Sequence, residues 1–187
     1  MQNRKMIGLF ASCLIMVAVC APSAMPQAPA TQPLRSPDVI FVPTPQNVVE
    51  AMLKMASVKA GDVVYDLGSG DGRIPITAVQ KFSAARAIGI DIDPQRIKEA
   101  NDNAEKAGVT NKVKFLNQDL FTTDFSEATV ITLYLLPSLN EKLRPKLLML
   151  KPGTRIVSHA FDMGDWKPEK TETVDGRTIY FWTVPKK

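Results

Sequence analysis

The sequence predicts an α/β fold in which a mostly parallel sheet carries helices on both faces and ends in an antiparallel hairpin. Short apolar runs alternate with helical patterns along most of the chain, which is typical of parallel sheets with crossover helices. A glycine-rich turn joins the first predicted strand to a helix. Two strand-like runs joined by Asp175-Gly176 close the chain and favour a terminal hairpin.

The elements follow in a regular order. Thr44 is expected as the N-cap of the first helix, with Pro45 as its first helical residue. Later helices are predicted from Arg73, from Pro94 with Asp93 as its cap, and from Ser138, which with Glu141 would form a capping box. The predicted strands are 63–65, 87–91, 113–116, 129–134 and 155–158, followed by a hairpin of 170–174 and 178–184.

The most informative stretch is the turn between the first of these strands and its helix. Asp66 ends the strand, and Gly68, Gly70 and Gly72 follow at alternate positions. Glycines let a ligand approach the main chain, and the N-terminus of the next helix favours an anionic group. An acid beside this loop suits a ligand that carries both an ammonium and a carboxylate. The G-x-G-x-G spacing differs from the G-x-G-x-x-G of dinucleotide enzymes, which disfavours an NAD-dependent dehydrogenase.

This D-x-G-x-G-x-G stretch resembles the first motif of the class I S-adenosylmethionine (SAM)-dependent methyltransferases. The resemblance implies SAM as cofactor and a Rossmann-like fold, with a mostly parallel seven-stranded sheet whose last strand runs antiparallel. Asp91 lies 23 residues after Gly68, a position suited to an acid that accepts both ribose hydroxyls. By the same resemblance, Asp119 would meet the adenine amino group and the Leu120 backbone N–H the ring. The candidate cofactor-binding residues are Phe41, Pro43, Thr44, Asp66, Gly68, Ser69, Gly70, Asp91, Ile92, Asp119, Leu120 and Tyr134.

Three patches resemble a narrower group, the lysine methyltransferases that modify the c-type subunit of ATP synthase and the adenine nucleotide translocase. These patches are 41–45, 66–74 and 155–158, the last followed by Trp166. The resemblance implies methyl transfer to a protein lysine, with a membrane protein as one candidate substrate. It also implies that the segment around Phe41, Pro43 and Thr44 helps to close the cofactor site.

The sequence says less about the acceptor side, the part of the site that would bind the group receiving the methyl. The N/D-P-P-Y/F/W motif of methyltransferases that modify base or glutamine amino groups is absent, because the chain has Tyr134-Leu135-Leu136-Pro137 after its fourth strand. The sequence identifies no catalytic residue, and Tyr134 and Pro137 are the candidates for one on the acceptor side. A small-molecule methyltransferase is one alternative, although the chain has no insertion large enough for a separate substrate cap. A second alternative is an exported SAM-fold domain that binds a ligand without catalysis.

The first thirty residues differ from the rest of the chain. Arg4 and Lys5 precede the apolar run 6–19, and small residues and prolines fill 21–30, which is the layout of a secretory signal. An uncleaved membrane anchor is the alternative. Either interpretation predicts an exported or membrane-anchored protein on the periplasmic side, although SAM synthesis in the cytoplasm leaves cytoplasmic catalysis open. The predicted division is a leader at 1–30, a linker at 31–37 and a methyltransferase domain at 38–187.

Charge and cysteine content narrow the function further. Removing Arg4 and Lys5 from the 23 basic residues leaves 21, against 19 acidic residues, which argues against a nucleic-acid partner held by a broad basic face. Both cysteines lie in the leader, and His159 is the single histidine. The sequence therefore predicts neither a disulfide framework nor a metal site. His159 ends the fifth strand, where a structural role is favoured over that of a base.

Overall fold

The computed structural model describes residues 34–186, in which seven strands and four helices form one mixed sheet and its covering layers. The helices are α1 (Gln46–Met55), α2 (Arg73–Phe82), α3 (Pro94–Lys106) and α4 (Pro137–Leu147). The strands are β1 (Val63–Leu67), β2 (Arg86–Asp91), β3 (Val113–Asn117), β4 (Val130–Leu133), β5 (Arg155–His159), β6 (Lys170–Val174) and β7 (Arg177–Thr183). The predicted leader 1–30 lies outside the described residues. Among residues 34–186, no helix has the length and apolar character needed to cross a membrane.

The sheet has the strand order β3-β2-β1-β4-β5-β7-β6. Strands β1 to β5 pair in parallel, whereas β7 runs antiparallel to both β5 and β6. The predicted fold class is therefore confirmed, including the hairpin. Because β1 pairs with β2 on one side and with β4 on the other, the strand order reverses beside β1, where α/β sheets commonly bind ligands.

Alternate side chains of each strand enter two separate cores. Val64 packs in the core under α1, α2 and α3, whereas its neighbour Tyr65 packs in the core under α4. This alternation is the period of two expected of a strand buried on both faces. Helices thus cover both faces, as predicted, but unevenly, with three on one side and α4 on the other.

Two predicted helix caps are wrong. Pro45, not Thr44, occupies the N-cap of α1, and the Thr44 hydroxyl bonds to His159 instead. Helix α4 begins at Pro137, one residue before the predicted Ser138 cap, and no side chain caps it. In both places a proline, whose fixed φ suits the start of a helix, determines the boundary. The predicted Asp93 cap of α3 is confirmed, because its carboxylate accepts a hydrogen bond from the Gln95 N–H.

Two segments border the sheet at its edges. Residues 34–44, which form no regular element, run along the carboxyl ends of the strands, and we call them the strap. At the far end of the sheet, β6 forms one edge, and its first four residues, Lys170 to Thr173, are exposed.

Candidate active site

A cleft of about 670 Å³ opens at the carboxyl ends of the parallel strands. The strap forms one wall, and the loops that follow β1, β2, β3 and β4 form the others. The lining residues at these strand ends and loops include Asp66, Gly68, Ser69, Asp91, Ile92, Asp119, Leu120 and Tyr134. Phe41, Pro43 and Thr44 line it from the strap. The residues predicted to bind the cofactor are therefore brought together, with Gly70 beneath Phe41.

The glycine loop turns sharply over β2. The N–H groups of Gly68 and Ser69 both donate to the Ile90 carbonyl, at 2.8 and 3.0 Å. Gly68 and Gly70 have φ of +86° and +51°, which side-chain-bearing residues rarely adopt. A Cβ at Gly70 would also lie 2.1 Å from the Phe41 ring. The loop therefore needs glycine at Gly70 for two reasons, its backbone conformation and the close approach of the strap.

Asp66 is a buried acid at the end of β1, with only 2% of its surface exposed. Its Oδ1 accepts a hydrogen bond of 2.7 Å from the Thr132 hydroxyl on β4. Burial, together with the nearby carboxylates of Asp91 and Asp71, raises the pKa of Asp66 to about 8, although the hydrogen bond from Thr132 opposes this shift. The positive charge of a ligand ammonium beside this carboxyl would stabilise its ionised form.

Asp91 ends β2 and lies against the glycine loop. Its two carboxylate oxygens accept hydrogen bonds from the N–H groups of Gly70, at 2.8 Å, and Asp93, at 3.0 Å. Partial burial raises the pKa of Asp91, although these backbone bonds oppose the shift. The carboxylate is thereby held in one orientation at the wall of the cleft.

Asp119 follows β3 and is paired with a residue of the strap. The Arg35 Nε donates to its Oδ2 at 2.7 Å, and the Phe121 N–H donates to its Oδ1 at 2.9 Å. The Arg35 guanidinium lowers the pKa of Asp119. Arg35 also pairs with Asp38 and lies 5.5 Å from the centre of the Phe121 ring. The strap therefore crosses the cleft and contacts an acid predicted to bind adenine.

Ser69 and Arg73 complete the loop side of the cleft. The Ser69 hydroxyl is buried and has no hydrogen-bond partner within residues 34–186. Such a group is uncommon in a folded protein and calls for a ligand or water. Arg73 forms an ion pair with Asp71, and its Nη1 donates a hydrogen bond of 2.9 Å to the Thr44 carbonyl. This guanidinium thus joins the glycine loop to the strap.

The acceptor side contains an aromatic cluster. Tyr134, directly after β4, lines the cleft, and its ring lies 4.0 Å from that of His159 and 6.3 Å from that of Phe161, measured between ring centres. Leu135 and Leu139 continue this wall. Pro137, the other predicted acceptor-side residue, is the first residue of α4 and is not among the lining residues.

Sequence reasoning misses several residues of the site. Arg35 falls in the predicted linker, and Asp71, Arg73 and Arg96 have no predicted role, although all four line the cleft. The position of Asp71 and Arg73, inside and directly after the glycine loop, is an available signal. The Arg96 guanidinium lies 5.0 Å from the centre of the Phe41 ring, and nothing in the sequence around either residue predicts this contact.

Known proteins that are similar to this chain are methyltransferases. A family model of the ANTKMT methyltransferase domain matches residues 66–170. A protein-lysine N-methyltransferase of Saccharolobus islandicus is 46% identical over 153 residues, 79% of this chain and 95% of that protein. Adenine nucleotide translocase lysine N-methyltransferase of Mus musculus is 32% identical over 73% of this chain, but the match spans 58% of that protein.

A solved structure is also similar. An RNA methyltransferase from Salinibacter ruber in complex with S-adenosyl-L-homocysteine has 56% sequence identity and a TM-score of 0.76. The match covers 78% of this chain and 95% of that chain.

Proposed function

The chain belongs to the family of the ANTKMT methyltransferase domain, and on this premise we propose that it methylates the amino group of a lysine in a protein. The observation that carries methyl transfer is the cleft in which Asp66 and Asp91 meet beside the glycine loop. The lysine acceptor is supported by the 46% identical protein-lysine N-methyltransferase, which this chain matches over 95% of its length.

The cofactor is SAM, and the residues of the cleft fit it. The buried Asp66 carboxyl would receive the ammonium, because it has no arginine partner. Four other described acids of the cleft do pair with arginines: Asp38, Asp71, Asp93 and Asp119. Asp91 would accept the ribose hydroxyls, and the unpartnered Ser69 hydroxyl offers a further polar contact. The N–H groups of Gly68 and Ser69 are already bonded to Ile90, so the carboxylate would be bound by other groups.

Bound SAM supplies a methyl group on a positively charged sulfur, which is a good leaving group. The chain's residues therefore need mainly to hold the acceptor in line and to exclude water. Tyr134, Leu135 and Leu139 form an apolar wall that removes water from an entering side chain. A lysine ammonium, with a reference pKa of about 10.4, loses its proton more easily in such surroundings. The proton passes to solvent, and the neutral amine remains facing the cleft.

RNA is the second candidate acceptor, because the Salinibacter ruber protein is an RNA methyltransferase. Two observations favour protein. The N/D-P-P-Y/F/W motif of base-modifying enzymes is absent, and the chain after the leader has nearly balanced charge. The exposed side chains near the cleft include Ile40, Val42 and Leu136, which are apolar and suit a protein partner better than a phosphate backbone.

Methyl transfer from radiolabelled SAM tests the proposal. The full-length protein is incubated with soluble proteins, membrane proteins, total RNA and small molecules in separate reactions. We expect label in protein that yields methyllysine on acid hydrolysis. Label in RNA or small molecules alone would overturn the lysine acceptor. Asp91→Asn should abolish the signal, whereas the matched change Asp102→Asn, on the exposed face of α3, should preserve it.

A location outside the cytoplasm is a separate prediction, which rests on the leader sequence 1–30. Cell fractionation followed by N-terminal sequencing tests it. A mature protein that begins near residue 31 in the exported fraction would support cleavage. A full-length chain confined to the cytoplasm would overturn the export prediction without affecting the methyltransferase assignment.

A further inference from the structure

His159 contacts both the strap and the acceptor side. It is buried at the end of β5, with 2% of its surface exposed. Its Nδ1 lies 3.1 Å from the Thr44 hydroxyl, 115 residues away in sequence. The same ring packs against Tyr134 with 4.0 Å between ring centres. One side chain therefore links a strap residue that lines the cleft to a residue that forms the acceptor wall.

The environment of His159 favours an uncharged ring. Burial, together with the positive charge of Arg177, lowers the pKa of His159 to about 4. The ring is therefore neutral at physiological pH, and its bond to Thr44 joins two neutral groups. His159 is not among the residues that line the cleft. It thus lies behind Tyr134, where it can support the wall without touching a substrate.

The turn after His159 is held firmly. Ala160 has a φ of +64°, a conformation that is unfavourable for a residue with a Cβ. The Ser158 hydroxyl donates to the Phe161 carbonyl at 2.6 Å, and the Asn140 side chain donates to the same carbonyl at 3.2 Å. These bonds fix the turn and place Phe161 against Tyr134. Backbone strain of this kind persists where the surroundings impose it, often at functional sites.

Thr44 is anchored from a second direction. Its carbonyl accepts a hydrogen bond of 2.9 Å from Arg73, which is itself paired with Asp71 in the glycine loop. Thr44 is 4% exposed, unlike the exposed residues Ile40 to Val42 that precede it in the strap. The strap is therefore fixed at Thr44 between β5 and the glycine loop.

We propose that His159 is a positioning residue that ties the strap at Thr44 to the acceptor wall at Tyr134. The position of the strap over the cofactor and the shape of the acceptor wall are then coupled through this one side chain. This inference rests on the proposed function. It assigns His159 no role as a base, because the ring acts through Thr44 and Tyr134.

Cofactor affinity tests the strap half of this link. S-adenosylhomocysteine binding is measured by calorimetry on the full-length wild type, Thr44→Val, His159→Phe and the double variant. Loss of one neutral hydrogen bond should raise the Kd roughly two- to tenfold in each single variant. The double variant should match the single variants, because both changes remove the same bond. His159→Asn, which keeps a polar atom near the Nδ1 position, should recover most of the affinity.

Hydrogen exchange tests the acceptor half. Thr44→Val should speed amide exchange in the peptide that contains Tyr134 as well as in the strap. Unchanged exchange at Tyr134 would overturn the link. The matched control is Thr154→Val, which removes another buried hydroxyl, bonded to the Ala128 carbonyl in the part of the protein away from the cleft. It should leave both the Kd and the exchange at Tyr134 unchanged.

The remaining outcomes separate this inference from the proposed function. A wild type that binds no S-adenosylhomocysteine would overturn the proposed function. Normal wild-type binding with an unaffected Thr44→Val variant, or additive losses in the double variant, would overturn the positioning role alone. If His159 acts instead as a base, His159→Phe will remove a limb of the pH–rate profile. If His159→Phe does not fold, Thr44→Val decides the question.

Discussion

Two buried acids lie at opposite ends of strand β1, Asp62 just before it and Asp66 near its carboxyl end, and their surroundings differ sharply. Asp62, just before the strand, is 5% exposed and accepts hydrogen bonds of 2.8 Å from the Lys59 N–H and the Thr129 hydroxyl. It also pairs with Arg155. Asp66, at the other end, is 2% exposed and accepts a hydrogen bond from Thr132 without a cation beside it.

The comparison separates stability from ligand binding along five consecutive residues. Asp62 has its charge compensated inside the protein, so it joins β1 to β4 and β5 and supports the fold. Asp66 is left uncompensated at the edge where the cleft opens, and burial raises its pKa to about 8. A buried carboxylate without a cation beside it destabilises the folded state, and a cationic ligand can reverse that effect. Substitutions at the two ends of β1 should therefore have different consequences.

The largest expected effect is on stability at the Asp62 end. Asp62→Ala leaves the Arg155 guanidinium partly buried and unpaired, so the free energy of unfolding should fall by about 3–5 kcal/mol. Urea denaturation measures the change. Asp165→Ala, at a fully exposed acid, is the control and should change stability by less than about 0.5 kcal/mol. A loss below about 1 kcal/mol for Asp62→Ala would contradict the structural role.

The next effect is on affinity at the Asp66 end. Asp66→Asn keeps an oxygen that accepts from Thr132 but removes the charge, so the Kd for S-adenosylhomocysteine should rise by at least about tenfold. The free energy of unfolding should change by less than about 1 kcal/mol or increase. Calorimetry and urea denaturation on the same sample measure both. Normal binding by this variant would show that the ammonium does not use Asp66.

The pH dependence of binding follows from the raised pKa of Asp66. Below about pH 8 the free protein carries a protonated Asp66, which must lose its proton to bind an ammonium. Affinity should therefore rise from pH 6 to 8, by up to about tenfold per unit. The free energy of unfolding should change in the opposite direction. Because the folded-state pKa of Asp66 lies above the unfolded one, the free energy of unfolding should fall as the pH rises toward 8. Asp66→Asn should flatten both profiles, and a slope that persists in it would point to another group.

The smallest effect concerns the strap. Arg35 occupies the Asp119 carboxylate in this structure, so Arg35→Gln should free it for a ligand amine. Because exposed ion pairs are weak, the association rate constant for S-adenosylhomocysteine should rise by no more than about fivefold. Stopped-flow measurements at two salt concentrations should also show less salt dependence in the variant. Slower association would indicate that Arg35 contacts the ligand itself.

The sequence predicts the parts of the site that depend on local pattern and sheet topology. Asp66, Asp91 and Asp119 each lie at or close to the carboxyl end of a parallel strand, so the fold brings them to one edge once the strands are recognised. Their spacing requires no knowledge of side-chain packing. The mostly parallel sheet with its terminal hairpin is predictable from the same pattern, and the resemblance to class I methyltransferases adds the count of seven strands.

Contacts between distant residues are not predictable in this way. Thr44 is expected to cap a helix, because its position before Pro45 fits that local pattern, yet it bonds to His159 across the fold. Arg35 and Asp119 are 84 residues apart, and nothing in their immediate neighbours indicates pairing. Such contacts depend on how the strap crosses the sheet, which is a tertiary property.

The exposed polar side chains of the edge strand β6 disfavour pairing between two copies of the protein. An outer strand offers unpaired backbone groups to any second strand that approaches it. Lys170, Thr171, Glu172 and Thr173 surround those groups with charges and hydroxyls, whose desolvation would oppose a continuous intermolecular sheet. Replacement of Lys170 and Glu172 by valine should therefore allow the β6 edge to pair with other strands and to assemble into fibrils.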